Sequence, residues 1–296
     1  MSAAVLITGC STGLGLETAV YLAERGWRVY AGLRDLERRA ALEAAARARG
    51  VRLTMLPLDI TDPASIDRAV QQVLTEAGGI YGLVNNAGIG LRGYFEDLLE
   101  SEVRRVFEVN VFGTMAMTRA VLPAMRAAGR GRIVIIGSVG GRIAAFGVSA
   151  YCATKFAQEG WAEALYQELR PLGIGVALVE PGIIRTERWG RNRAIGQRAQ
   201  DPTSPYYRWF VAAEQLTDRL VSSSPARPLD VARVVHQVLA APRPRLRYIV
   251  GWRPWLAVLL RRYLPEPMFE RLYFGMALWR LERLATSLPG AGEGER

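Results

Sequence analysis

Short apolar runs alternate with amphipathic stretches along most of this chain. Runs of strand length fall at 3–8, 27–33, 51–58, 80–85, 131–137, 174–180 and 246–250. Helical patterns lie near 14–25, 36–49, 63–76, 100–127, 150–170 and 230–240. The strand runs are continuously apolar, which marks strands covered on both faces. Asp62-Pro63 and Pro228-Leu229-Asp230 read as helix starts, and Gly26, Gly50 and Gly173 as helix stops. Strict β/α alternation predicts a parallel sheet with helices on both sides.

Right-handed crossovers between such strands give an α/β, doubly wound Rossmann-type domain with about seven strands, here spanning 1–251. Two regions break the pattern. Residues 186–228 read as irregular, with Asp201-Pro202, Ser204-Pro205 and the aromatics Trp189, Tyr206, Tyr207, Trp209 and Phe210. Residues 252–285 read as a helical C-terminal extension of one or two amphipathic helices, rich in Trp, Leu and Arg. Three readings of that extension stand: core or oligomer packing, a wall of a substrate pocket, or an interfacial membrane helix. The tail at 286–296 is small and polar and is expected to be disordered.

Composition sharpens the picture through what is rare. Of 38 basic residues, 37 are arginine and one, Lys155, is lysine. A lysine kept in such a chain suits a role that needs a compact ammonium. One histidine, His236, argues against a Ser-His-Asp triad and rules out a His-rich metal site. Four asparagines occur, three of them at Asn85, Asn86 and Asn110. Two cysteines, Cys10 and Cys152, make no disulfide framework and fit a reducing, cytoplasmic setting. The first apolar run is too short for a signal peptide, and no stretch is long enough to span a membrane. The net charge of +10 is scattered, as on a solvated surface; an anionic cofactor, an acyl-carrier partner or membrane headgroups would also meet it. No arginine–aromatic interleaving suggests nucleic acid.

Thr8-Gly9-Cys10-Ser11-Thr12-Gly13-Leu14-Gly15 joins the first strand to the first helix. Glycines there let the backbone approach a pyrophosphate, and the helix N-terminus supplies N–H donors. The second strand ends Leu33-Arg34-Asp35. Leu33 stands where an acid would bind the ribose of NAD, and Arg34, with Ser11 and Thr12, suits the 2′-phosphate of NADP. Asp35 keeps NAD open, because a small register shift would bring its carboxylate to the ribose. Asp59-Ile60 ends the third strand, where an acid can accept from the adenine amino group. Asn85-Asn86-Ala87-Gly88 ends the fourth.

Ser138 ends the fifth strand, and Tyr151 and Lys155 follow, four residues apart and hence on one helix face. A neighbouring ammonium favours the phenolate and brings Tyr151 toward useful acid–base chemistry. Ser138 would hold the substrate oxygen, and Tyr151 would give or take its proton as hydride moves. Lys155 would bond the nicotinamide ribose, and Asn110 would anchor water leading to Lys155.

These motifs resemble the short-chain dehydrogenase/reductase family across about 1–250. The family's glycine turn falls on Thr8 to Gly15, its Asn-Asn-Ala-Gly on Asn85 to Gly88, and its tetrad on Asn110, Ser138, Tyr151 and Lys155. Its Pro-Gly motif with a following Thr, which contacts the nicotinamide, falls on Pro181, Gly182, Ile183 and Thr186. The resemblance implies a cofactor set of Gly9, Ser11, Thr12, Gly13, Leu14, Gly15, Arg34, Asp59, Ile60, Asn86, Ala87, Gly88, Tyr151, Lys155, Pro181, Gly182, Ile183 and Thr186. It implies NADP(H), a homodimer or homotetramer, and a substrate lid at about 186–228. The segments around Arg34, Ser138 and Tyr151 are similar to those of 17β-hydroxysteroid and retinol dehydrogenases, although that branch's substrate-recognising histidine is not evident, since His236 lies elsewhere. The expected activity is hydride transfer between NADP(H) and a bulky apolar ketone or secondary alcohol, whether steroid-, retinoid- or polyketide-like. A non-catalytic NADP-binding sensor or adaptor is the alternative.

Overall fold

The computed structural model describes residues 3–186 and 194–287. Trp189, Asn192 and the tail beyond 287 lie outside the described residues. Seven strands form one sheet: β1 Ala4–Ile7, β2 Arg28–Leu33, β3 Thr54–Pro57, β4 Gly82–Asn85, β5 Gly131–Ile136, β6 Ile174–Pro181 and β7 Arg247–Val250. Their order is β3-β2-β1-β4-β5-β6-β7, and every pairing is parallel. The order reverses between β1 and β4, so a crevice opens beyond their C-terminal ends.

The continuous apolar runs have a physical reason in this sheet. Successive strand residues point to opposite faces. Along β5, Ile133 and Ile135 enter one core while Val134 and Ile136 enter the other. The first core is closed by α3 (Pro63–Ala77), α5 (Thr114–Ala127) and α6 (Ser149–Leu169). The second is closed by α1 (Gly13–Glu24), α2 (Ala40–Ala48) and α8 (Pro228–Ala240). The predicted punctuation is visible. Asp62 caps α3 by accepting from Ala64 N at 3.0 Å, and Gly26, Gly50 and Gly173 all have positive φ.

Three stretches differ from the sequence pattern. The helix predicted over 100–127 is α4 (Glu100–Phe107), a π turn (Glu108–Gly113) and α5. The strand predicted over 51–58 narrows to β3, with Val51 and Leu53 packed on the core ahead of it. The segment read as irregular contains a 16-residue helix, α7 (Tyr207–Ser222), whose buried face is Phe210, Ala212 and Ala213.

The extension folds back on the domain. It comprises α9 (Trp252–Tyr263), α10 (Glu266–Phe269), a π turn (Glu270–Phe274) and α11 (Gly275–Thr286). Val258 and Phe269 pack with Ile143, and Leu281 and Ala285 pack with Ala212 and Ala213 of α7. His236 is structural: its Nδ1 accepts from Trp27 Nε1 at 3.1 Å. Burial, and then Arg25, push its pKa down.

Candidate active site

The turn from β1 into α1 is shaped by close approach. Gly9 has φ +71°, and a Cβ there would lie 2.8 Å from Ala87 Cα. A Cβ on Gly15 would lie 2.3 Å from Gly9 O. Thr8 Oγ1 accepts from Asn86 N (3.0 Å) and Ala87 N (2.9 Å), and Asn86 Nδ2 donates to Thr8 O and Gly9 O, both at 2.9 Å. Asn86 therefore clamps the β4 end to the glycine turn. Thr12 makes no side-chain capping bond, and α1 has no acid in its first turn. The first-turn N–H groups thus lack intrahelical partners beside a positive dipole end, and these donors fit a pyrophosphate.

At the β2 end, Leu33 is fully buried in the core and presents nothing to a ribose. Arg34 lines the cavity, and so does Arg38, four residues on in the short helical turn Leu36–Arg39, which the sequence reading did not single out. The Asp35 carboxylate caps the turn after it, accepting from Glu37 N at 2.9 Å. Asp59 Oδ1 accepts from Thr61 N (2.9 Å) and Thr61 Oγ1 (2.7 Å). Burial alone would raise the Asp59 pKa, but those bonds together with Arg34 and Arg105 hold it below the ordinary carboxylate value.

The other end of the candidate site is built where β5 meets α6. Ser138 Oγ accepts from Gly140 N at 3.0 Å, which leaves its hydroxyl hydrogen to donate elsewhere. The place a Cβ on Gly140 would fill is 3.3 Å from Ser138 Oγ and 3.6 Å from Tyr151 Cε1, so the two side chains converge there. Lys155 is buried, with Nζ 5.7 Å from the Tyr151 ring centroid. Nζ donates to Ile136 O and to Gln158 Oε1, both at 2.9 Å. These two acceptors give the buried Lys155 amine hydrogen-bond partners.

Asn110 sits in the π turn and is fully buried. Its side chain holds Ile89: Oδ1 accepts from Ile89 N and Nδ2 donates to Ile89 O, both at 2.8 Å. Its backbone carbonyl accepts from Gln158 Nε2 at 2.5 Å. Gln158, a side chain that sequence reasoning missed, thus joins the Asn110 carbonyl directly to Lys155 Nζ. Gln158 follows Lys155 by three residues on the same helix, so the two side chains share a face.

One cavity of about 1710 Å³ joins all of this. Every predicted site residue except Asn110 lines it; Asn110 lies behind Lys155. The described aromatics between 194 and 228 pack against the protein rather than face the cavity. Tyr206 stacks on Tyr94 with centroids 5.2 Å apart, Trp209 packs on the α7–α11 contact, and Phe210 is buried. Neither these three nor Tyr207 lines the cavity. The apolar wall comes instead from Leu216 and Leu220 of α7 and from Tyr273, Phe274 and Met276 of the extension. Arg92, another residue not foreseen, also lines the cavity; its backbone N donates to Ala194 O (3.0 Å) and its guanidinium pairs with Glu214 Oε1 of α7 (2.8 Å).

A buried acid cluster lies against the serine loop. Glu159 of α6 packs on Gly141, and Arg247 Nε bonds it at 2.9 Å. Glu180 of β6 is fully buried, with Arg142 at 3.5 Å and Arg247 at 3.7 Å. Burial first, then the Glu159 carboxylate, push the Glu180 pKa up to about 7 against the pull of both arginines.

Known proteins share this architecture. The chain is 34% identical over 280 residues to an uncharacterized oxidoreductase, YbbO, of Escherichia coli K12, covering 93% of this chain and 95% of that one. It is 39% identical over 274 residues to human 17-beta-hydroxysteroid dehydrogenase type 1 (89% and 81% covered). It is 37% identical over 254 residues to bovine retinol dehydrogenase 8 (82% and 80%). Among solved structures, a short-chain dehydrogenase from Streptomyces avermitilis superposes with TM-score 0.76 at 33% identity, covering 97% of this chain and all of that one. A Burkholderia phymatum member in complex with NAD gives 0.77 at 26% (88% and 93% covered), and a metagenomic member in complex with NADP gives 0.65 at 28% (84% and 97%). The sequence model of the short chain dehydrogenase family matches residues 3–195. On this match and these identities, the chain belongs to the short-chain dehydrogenase/reductase family and is an oxidoreductase of that family.

Proposed function

We propose that this chain transfers hydride between NADP(H) and a bulky apolar ketone or secondary alcohol, with Tyr151 as general acid and base. The observation that carries this reading is the convergence of Ser138 Oγ and Tyr151 inside an apolar-walled cavity that also holds the glycine turn. Gly9, Gly13, Leu14 and Gly15 would hold the pyrophosphate, with Ser11, Thr12, Arg34 and Arg38 around the 2′-phosphate. Asp59 would take the adenine amino group. Pro181, Gly182, Ile183 and Thr186 would hold the nicotinamide side. A nicotinamide bound there supplies or accepts the hydride.

In reduction, the Ser138 hydroxyl donates to the carbonyl oxygen and holds it beside Tyr151. The Tyr151 hydroxyl gives its proton to that oxygen as the carbon receives hydride, and the Lys155 ammonium stabilises the phenolate left behind. Oxidation reverses each transfer. Arg34 and Arg38 line the cavity at the β2 end and support NADP over NAD, although Asp35, with one oxygen accepting from Glu37 N, lines it too. The relatives' substrates support an apolar, ring-bearing or polyene alcohol. A sensor on this fold would have no use for the Ser138–Tyr151 arrangement. Exposed Phe112 in the first π turn and Phe156 on α6 offer the homo-oligomer a pairing face.

An NADPH-oxidation screen over ketosteroids, retinoids, quinones and polyketide-like ketones tests the reading. Turnover of at least one apolar carbonyl, with NADPH preferred over NADH, is expected. NADPH binding without turnover of any would contradict it.

A further inference from the structure

Fifteen large hydrophobic side chains are exposed among the described residues, and ten of them lie between 252 and 279. The concentration follows helix geometry. On α9, Trp252, Trp255, Leu256 and Tyr263 recur at helical spacing, and along α10 and α11 Met268, Leu272, Met276 and Trp279 do the same. Each helix therefore buries one face on the domain and leaves a second apolar face in the open.

Cations border that second face. Arg253 lies over Trp252 (5.5 Å), Arg262 over Tyr263 (5.6 Å) and Arg283 over Trp279 (4.8 Å). From 252 to 287 the chain has six arginines against three glutamates, and one of those glutamates, Glu266, is paired with Arg261. Exposed Trp and Tyr beside arginine match the headgroup level of a bilayer: the ring enters the apolar boundary and the guanidinium meets lipid phosphate. No helix among the described residues is long and apolar enough to cross a membrane.

The cavity opens on the same face. Trp252, Met276, Leu278 and Leu220 are at once exposed and part of its lining. A protein partner seated there would cap the mouth. A second copy related by a two-fold axis would also bring together two faces that each carry six arginines against three glutamates.

We infer that the α9 and α10–α11 faces form an interfacial membrane-docking surface for anionic lipid, and that it sets the cavity mouth on the bilayer. An apolar substrate then passes from lipid to Ser138 and Tyr151 without crossing water. This route rests on the reading of the cavity as the substrate site; the docking itself does not.

The test is co-sedimentation of the full chain, without cofactor or substrate, with phosphatidylcholine vesicles that do or do not contain phosphatidylglycerol. The wild type should sediment with the anionic vesicles and be released by raised salt. The double variants Trp255→Ser/Trp279→Ser and Arg262→Glu/Arg283→Glu leave the cavity lining untouched. Each should lower the partition at least about tenfold, with circular dichroism melting unchanged. Equal sedimentation of wild type and folded variants would overturn the inference. So would a wild-type dimer, seen by light scattering, that dissociates in Trp255→Ser/Trp279→Ser while no vesicle binding occurs.

Discussion

Lys155 Nζ donates to Gln158 Oε1 at 2.9 Å, and the other end of the same amide holds the backbone carbonyl of Asn110. The π turn positions that carbonyl, and α6 presents both side chains. Lysine has a flexible stem, and this fork fixes where its charge sits relative to Tyr151. Gln158→Leu keeps the volume but removes both bonds. The variant should lower kcat/KM about tenfold and move the apparent pKa of the pH–rate profile up by about one unit. A pH–rate profile identical to wild type, with only a lower Tm, would mean that Gln158 merely supports the fold.

Lys155→Arg keeps the charge and changes its shape. Ile136 O and Gln158 Oε1 are arranged around one ammonium in a buried site. A planar guanidinium cannot occupy that point with the same contacts. Steady-state kinetics should show kcat/KM down about 100-fold. Near-normal activity would make the chain's single lysine incidental.

Arg34 and Arg38 should discriminate the two cofactors. Charged hydrogen bonds to a phosphate are worth enough that Arg34→Ala weakens NADPH about 10- to 100-fold, with a smaller loss in Arg38→Ala. NADH should change little in either variant. Fluorescence titration measures both, and equal losses for NADPH and NADH would count against the 2′-phosphate role.

Glu180 predicts a pH dependence of stability. Its pKa rises from 4.5 to about 7 on folding. Between those values the unfolded chain has released the proton and the folded chain retains it. Stability attributable to Glu180 is therefore full below about pH 4.5, falls as pH rises through about 7 and levels off above. Glu180→Gln mimics the protonated form at every pH. Its Tm relative to wild type should gain roughly 2–4 °C between pH 5 and pH 8. A constant difference across that range would contradict the assignment.

Much of the site was legible because its signals are local. Tyr151 and Lys155 share a helix face by spacing alone, and the glycine turn follows directly from an apolar strand. Gln158 shares the Lys155 face at i+3 but had no rarity to mark it: a buried polar residue on a helix is invisible until its partners are known. The π turn at Glu108–Gly113 hid inside an unbroken helical pattern, because one widened turn barely disturbs the periodicity. The lid aromatics were ambiguous for another reason. Residues such as Trp209 suit a pocket wall and a packed lid equally, and only the contact with α11 decides. The extension's course depends on long-range packing, such as Pro254 against Gly182, where a Cβ would meet Pro254 Cγ at 2.7 Å.

Tyr151→Phe tests the central claim most directly, because it removes only the Tyr151 hydroxyl and leaves the rest of the cofactor cradle intact. Single-turnover reduction of the best ketone from the screen, run alongside NADPH titration, should show at least about 100- to 10,000-fold slower turnover with NADPH affinity within a few-fold of wild type. Turnover at the wild-type rate in Tyr151→Phe would contradict the account.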